Sequence, residues 1–121
     1  MNESGEMYLE TILILSRKNP IVRSVDIAEY MKYSKASVSR AMGILKKEEF
    51  INIDANGYIT LSEKGDNKAK NIFEKHTVLA QMLMSIGVDE QTATKDACKM
   101  EHVISDKSLD AIKTHLMIKL N

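Results

Sequence analysis

The chain has 121 residues, of which 44% are hydrophobic and 28% are charged, and 17 basic residues balance 17 acidic ones. This length suits one compact domain or two small ones that share a core, with the composition of an ordinary soluble globular protein. No apolar run approaches the ~20 residues of a membrane span, and the N-terminus lacks a secretory signal pattern. The single cysteine, Cys98, excludes an internal disulfide. We therefore expect a cytoplasmic protein with no membrane partner.

The first third of the chain has the order of a helix-turn-helix. An apolar segment, residues 6–19, is predicted to form a helix that ends at Asn19-Pro20. Ser24 and Ser34 are candidate N-caps of two further helices, which only a short polar break separates. Two short helices joined by a tight turn, the second longer and basic, are typical of a helix-turn-helix.

The second of these helices, KASVSRAMGILKKEEF, has two different faces. Its apolar face consists of Val38, Met42 and Leu45, and the opposite arc consists of Ala36, Arg40, Gly43 and Lys47. Residues 23–47 hold six basic and two acidic residues, although the whole chain is neutral. Small residues let a backbone approach base edges, and cations reach guanine or phosphate. The pattern fits a helix in a major groove, although a surface helix with scattered lysines fits this segment equally well.

A β-hairpin is predicted next, in FINIDANGYITLS. Isoleucine and leucine alternate with polar residues on both sides of Asn56-Gly57, which is the strongest short-range signal for a β-hairpin. A hairpin directly after a helix-turn-helix is a wing, and this order favours binding to double-stranded DNA. Base-edge contacts are expected from Ala36, Ser37 and Arg40, and phosphate contacts from Lys35, Lys47 and Asn56.

The rest of the chain is predicted to be helical. Three helices are expected, and their candidate N-caps are Ser62, Asp89 and Ser105. The first of them ends before Gly87, and the second continues to about Ile104. The expected fold is mainly α, with an N-terminal winged helix-turn-helix in residues 1–70 and an all-α domain in residues 71–121.

The segment CKMEHVISD, which starts at Cys98, contains three kinds of metal ligand within one helical turn. Read as a helix, it has Cys98, Glu101 and His102 at positions i, i+3 and i+4. A carboxylate or an imidazole beside a core needs a partner, because burial without one costs several kcal/mol. A cation would serve all three groups. The spacing alone is a weak signal, since a lone cysteine is usually a small buried hydrophobic residue.

Together these segments resemble the diphtheria toxin repressor and manganese transport regulator family of metal-dependent bacterial repressors. The matching pieces run in family order over essentially residues 5–116: EMYLETI, DIAEYM, SKASVSRAM, LSEKG, KH at 75 and 76, IGVDE and CKMEHVISD. EMYLE and CKMEHVISD are specific to the family, whereas a winged helix is common to many regulators.

The resemblance implies a metal site with ligands from helix 1 and from the C-terminal helices. The implied ligands are Met7, Cys98, Glu101 and His102 for an iron-type primary site, with Glu10 and His76 for a second, manganese-type site that Glu101 would bridge. Ala80 and Thr94 depart from the iron-type pattern, because ancillary ligands tend to stand there. With 121 residues, the chain is expected to lack the third, SH3-like domain of longer members.

The implied function is a homodimeric, metal-dependent repressor of metal-homeostasis genes that binds a double-stranded DNA operator. Residues 71–121 would then form the metal-binding and dimerisation domain. One or two divalent ions per subunit are expected. Thiolate and thioether ligands favour Fe2+, Co2+, Ni2+ or Zn2+ over Mn2+, whereas Glu10 with His76 favours manganese. Fe2+ is the first choice and Mn2+ the second.

Three other interpretations stay open. The chain could be a winged-helix regulator that responds to no metal, with Cys98, His102 and His76 as ordinary interior residues. A small metalloenzyme is disfavoured, because the sequence lacks an H-E-x-x-H motif, a nucleophile with its base and a glycine-rich phosphate loop. We therefore expect that the protein is not an enzyme and that it has no catalytic residues and no small-molecule substrate. A winged helix that contacts only proteins would not need the basic arc.

Overall fold

The computed structural model describes the backbone of residues 1–120 and the side chains of residues 1–117. In chain order, its helices and strands within this range are α1 Glu3–Lys18, α2 Ser24–Met31, α3 Lys35–Lys47, β1 Ile51–Ile53, β2 Ile59–Leu61, α4 Glu63–Ser85, α5 Glu90–Met100 and α6 Asp106–Leu120. The mainly α fold with an N-terminal winged helix-turn-helix is thereby confirmed. The chain divides into two compact units, Met1–Lys70 and the part from Asn71 onward. None of the described helices is both long and apolar enough to cross a bilayer.

Side-chain acceptors explain where most of the helices begin. At each N-terminus an oxygen accepts a hydrogen bond from a backbone N–H three residues later, in the pairs Ser34–Ser37, Asp89–Thr92 and Ser105–Ser108. The hydrogen bonds from Thr92 hold the pKa of Asp89 below its ordinary value. The N-cap of α2 differs from the prediction. The Asp26 carboxylate accepts a 2.8 Å hydrogen bond from the N–H of Arg23. Arg23, rather than Ser24, is therefore its N-cap.

Helix α5 ends earlier than predicted. It was expected to continue to about Ile104, but it ends at Met100, and residues 101–103 form a turn. The carbonyl oxygen of Met100 accepts 3.1 Å hydrogen bonds from the N–H groups of both Val103 and Ile104. Ser105 then caps α6, and an N-cap residue takes a non-helical backbone, which prevents α5 from continuing. Glu101 therefore follows the last turn of α5 and does not lie inside it.

The first unit has an apolar core to which every one of its elements contributes. Side chains with at most 2% exposure are Leu9 and Ile12 of α1, Ile27 of α2, Val38 and Met42 of α3, Ile51 of β1, Ile59 of β2 and Ala69 of α4. The two strands pair antiparallel, with Ile51 opposite Leu61 and Ile53 opposite Ile59. The N–H of Ile59 also donates a 2.7 Å hydrogen bond to the carbonyl of Val22, which fixes the sheet to the segment before α2.

The second unit has a smaller core. Leu79 and Ala80 of α4, Ala97 of α5 and Leu109 of α6 are buried together, and half-buried hydrophobic residues such as Met82 surround them. Small alanine side chains at two of these positions allow close approach between the helices. The core thus fixes the relative positions of α4, α5 and α6.

The sequence LSEKG, which connects β2 to α4, is hydrogen-bonded to the segment directly after α3. Ser62 donates its hydroxyl to the carbonyl of Glu49 at 2.7 Å and accepts a 3.0 Å bond from the N–H of Gly65. The N–H of Ser62 donates to the carbonyl of Phe50 at 3.0 Å, and the Lys64 ammonium lies 4.1 Å from the centroid of the Phe50 ring. A Cβ atom added at Gly65 would lie only 1.9 Å from the Phe50 carbonyl oxygen. The junction therefore requires glycine at this position.

We expect Gly65→Ala to lower the free energy of unfolding by about 1–3 kcal/mol, because the added methyl group must push the α3–α4 junction apart. Gly43→Ala is the matched control, since a Cβ there meets no atom within 4 Å. That substitution should raise the free energy of unfolding by about 0.5–1 kcal/mol through the better helix propensity of alanine. Urea denaturation followed by circular dichroism measures both. Equal shifts in the two variants would contradict this description of the junction.

Candidate metal centre and nucleic-acid interface

Three potential metal ligands converge in the second unit. The ligand atoms of His76, Cys98 and Glu101 all lie within 4.8 Å of one another. Leu79 of α4 and Ala97 of α5 pack in the core of this unit, and neighbouring positions on the same helices bear His76 and Cys98. The packing of α4 against α5 thus places an imidazole and a thiol beside the carboxylate that follows α5.

Glu101 is the most deeply buried residue of this cluster. Its side chain is 0% exposed, with Oε2 3.3 Å from Nδ1 of His76 and Oε1 3.4 Å from Nε2 of His102. The His102 side chain is itself only 1% exposed. Neither Glu101 oxygen accepts a hydrogen bond of good geometry from any described residue. A buried carboxylate in such a setting costs several kcal/mol unless a positive charge lies next to it.

The donor set fits a divalent transition metal. A carboxylate oxygen, a thiol sulfur and imidazole nitrogens are the ligands that first-row metals take in proteins. Two protonated imidazoles would also compensate the charge of Glu101, whereas a metal ion would in addition bind the nearby sulfur. A metal ion uses all of these groups, so the cluster favours a metal site over an ordinary interior.

The other two predicted ligands lie in the first unit. Met7 and Glu10 are both half-buried and occupy positions i and i+3 of α1, hence the same side of that helix. The Met7 carbonyl accepts a 2.9 Å hydrogen bond from the Thr11 hydroxyl. Their participation in metal binding stays a prediction. Ala80 is buried in the apolar core and Thr94 is exposed.

Helix α3 presents the predicted DNA-facing arc to solvent. Ala36, Arg40, Gly43 and Lys47 are exposed, whereas Val38, Met42 and Leu45 are at most 3% exposed. Lys35 is exposed at the first turn. Ser37 is half-buried, and its hydroxyl accepts a 2.9 Å bond from the Ser34 hydroxyl, which leaves its own proton available to donate. The contacts with bases and phosphates stay predictions.

The wing ends in an exposed turn. Asn56 is exposed and Gly57 has a φ of +79°, a conformation that glycine adopts without strain. The Asp54 carboxylate accepts bonds from the N–H groups of Asn56 and Tyr58 at 2.8 and 2.9 Å, which shapes the turn.

One contact of this surface was not anticipated. Arg23 contributed to the basic count of residues 23–47, but its guanidinium is engaged with Tyr58 of the wing. The two residues are 35 positions apart, and no local pattern pairs them. A tyrosine directly after the predicted Asn56-Gly57 turn was the only available signal.

Comparison with known proteins identifies the two halves of the chain separately. Residues 1–59 match the family described as the iron dependent repressor, N-terminal DNA binding domain. Residues 62–117 match the iron dependent repressor, metal binding and dimerisation domain. The first match covers the winged helix-turn-helix as far as the start of β2, and the second covers helices α4 and α5 and most of α6.

Individual relatives agree with these matches. An HTH-type transcriptional regulator of Methanocaldococcus jannaschii is 34% identical over 115 residues, which are 93% of this chain and 92% of that protein. The HTH-type transcriptional regulator MntR of Bacillus subtilis is 33% identical over 109 residues, 90% of this chain and 77% of that protein. The structure of the manganese regulator SloR superposes with a TM-score of 0.82 and 27% identity over 95% of this chain, which spans 53% of SloR. The chain therefore belongs to the diphtheria toxin repressor and manganese transport regulator family of metal-dependent transcriptional repressors.

Proposed function

We propose that this protein is a metal-dependent repressor of metal-homeostasis genes, which binds operator DNA when a divalent ion occupies the site around Glu101. The observation that supports this most directly is the fully buried Glu101 carboxylate, which has two imidazoles and a thiol beside it. The relatives are transcriptional regulators, which agrees with the expectation that the chain is not an enzyme. The proposed metal ligands are Met7, Glu10, His76, Cys98, Glu101 and His102.

Each ligand contributes a different property to the site. Glu101 supplies a fully buried negative charge, and Cys98 supplies a second charge as a thiolate. His76 and His102 supply neutral nitrogens. Because all four groups must be deprotonated to coordinate, protons compete with the ion, and metal affinity should fall as the pH is lowered. A bound ion would supply the positive charge that makes burial of the carboxylate favourable.

Fe2+ is the first candidate for the ion, because the sulfur of Cys98 favours Fe2+, Co2+, Ni2+ or Zn2+ over Mn2+. Mn2+ is the second candidate, and the similarity to MntR of Bacillus subtilis and to the manganese regulator SloR supports it. The two oxygens of Glu101 approach different imidazoles, His76 and His102, which allows Glu101 to bridge two ions. One ion held by a single oxygen is the simpler alternative.

The winged helix-turn-helix in residues 1–70 would read the operator, and residues 71–121 would hold the metal and form a homodimer. Two recognition helices bind successive major grooves only when they are about 34 Å apart. The resemblance assigns ligands both to α1 and to the second unit. Metal binding would therefore reduce the ordering cost of DNA binding. A coupling of about 1–3 kcal/mol corresponds to a change of ~5- to 150-fold in DNA affinity.

Co2+ is a suitable probe of the site because its complexes with thiolates have a strong charge-transfer absorption. We expect the wild-type protein to show this band and Cys98→Ser to bind Co2+ without it. Glu101→Gln should weaken Co2+ binding at least ~10-fold, because it removes the charge and leaves the size of the side chain almost unchanged. Spectrophotometric titration under anaerobic conditions measures both effects.

His115→Gln is the control for nonspecific binding to histidine, since His115 is exposed on α6. It should leave the titration unchanged. A wild-type Co2+ complex without a thiolate band would show that Cys98 is not a ligand.

Arg40→Ala should change the order of preference among operator sequences, because the loss of a base contact costs about 1–3 kcal/mol at one base pair. Lys47→Ala should weaken binding to all sequences alike and reduce the slope of log affinity against log salt by about 1. Selection from a random DNA pool, followed by anisotropy titrations at several salt concentrations, separates the two. Identical behaviour of the two variants would show that the orientation assigned to α3 on DNA is wrong.

A further inference from the structure

The wing of this protein is too short to hold its own position. Each strand has three residues, and an isolated two-stranded hairpin is marginally stable in water. Ile51 and Ile59 anchor the base of the sheet in the core, but residues 54–57 are exposed. Asp54 shapes the turn from within and does not connect it to the rest of the unit. The position of the wing tip therefore depends on contacts outside the hairpin.

Arg23 makes such a contact. Its guanidinium carbon lies 4.8 Å from the centroid of the Tyr58 ring, within the range of a cation–π interaction. One guanidinium N–H also donates a 3.1 Å hydrogen bond to the Tyr58 hydroxyl. Tyr58 lies at the end of the turn, directly before the first residue of β2.

The backbone of Arg23 is itself fixed. Its N–H donates a 2.8 Å bond to the carboxylate of Asp26 in the first turn of α2, and the preceding residue, Val22, accepts a 2.7 Å bond from the N–H of Ile59. The main chain before α2 and the guanidinium thus hold consecutive residues of the wing, Ile59 and Tyr58. A guanidinium suits this role, because it brings a delocalised positive charge near the ring and has several N–H donors for the hydroxyl.

We propose that Arg23 is a positioning residue for the wing. It holds Tyr58 so that the Asn56-Gly57 turn is presented to the DNA backbone in one place, and it does not itself bind a phosphate. This inference rests on the proposed DNA-binding function. Without the Arg23–Tyr58 contact the wing would have to be ordered when DNA binds, and affinity would fall for every DNA sequence alike.

The Arg23–Tyr58 contact can be tested without DNA. NMR on the free protein measures the rate at which solvent exchanges the amide protons of Asn56, Gly57 and Tyr58. Arg23→Ala and Arg23→Lys should both accelerate exchange by about 2- to 10-fold, and Tyr58→Phe by less, because it loses only the hydrogen bond. Tyr30→Phe is the matched control, since Tyr30 is an exposed tyrosine on α2 outside this contact. Tyr30→Phe should leave the exchange rates of these amides unchanged. Unchanged exchange in Arg23→Ala would overturn the proposal.

DNA titrations distinguish positioning from direct contact. If Arg23 acts through Tyr58, then Arg23→Lys and Tyr58→Ala should each weaken DNA binding by about 3- to 10-fold, with an unchanged salt slope. The double variant should be no weaker than the weaker single variant. Rescue of affinity by lysine, together with a salt slope reduced by about 1 in Arg23→Ala, would show a phosphate contact and refute the positioning role.

The proposed DNA-binding function and the positioning role of Arg23 can fail separately. If the metal-loaded wild-type protein binds no DNA, the proposed function is wrong, and the amide exchange still reports on the Arg23–Tyr58 contact. If the wild type binds DNA and the Arg23 variants bind equally well, only the positioning role is wrong.

Discussion

The burial of the Glu101 carboxylate is the constraint on which the interpretation of this protein depends. An anionic side chain with no exposed surface, 3.3 and 3.4 Å from two imidazole nitrogens, is unfavourable unless positive charge accompanies it. The thiol of Cys98 lies in the same cluster as His76 and Glu101, and it is a further potential metal ligand. A divalent ion satisfies the whole set. The unfavourable burial in the absence of metal is thus what would couple the ion to the conformation of the protein.

The DNA-binding unit is built by short-range interactions that fix its surfaces. Ser34 sets the first residue of α3, and through it the exposed arc that contains Arg40 and Lys47. Ser62 and Gly65 fix the end of α3 to the start of α4, where there is no room for a methyl group. These contacts leave α3 little freedom within its unit.

Much of the fold could be predicted from local signals. N-caps such as Ser34, Asp89 and Ser105 act within three residues, and the wing turn, in which the Gly57 N–H donates to the Asp54 carbonyl, is equally local. The predicted end of α5 was wrong, because two local signals competed. Helical periodicity continued to Ile104, but the Ser105 cap of the next helix interrupted it. Periodicity gives no information on which of two overlapping signals is stronger.

The candidate site was less accessible from sequence. The spacing of Cys98 and Glu101 was visible, but the approach of His76 comes from packing between α4 and α5, and only the family resemblance indicated it. Complete burial of Glu101 could not be inferred from a helical reading that placed it beside the apolar face. The Arg23–Tyr58 contact joins residues 35 positions apart and has no sequence signature.

Thermodynamic linkage offers the most direct measurement of the central claim. The affinity of the wild-type protein for Fe2+ and for Mn2+ should be determined with and without a saturating DNA duplex, and its affinity for that duplex with metal and with chelator. If the Glu101 centre controls DNA binding, DNA must tighten metal binding by the same factor, ~5- to 150-fold, by which metal tightens DNA binding. Equal DNA affinity in the chelated and the metal-loaded protein would contradict the account.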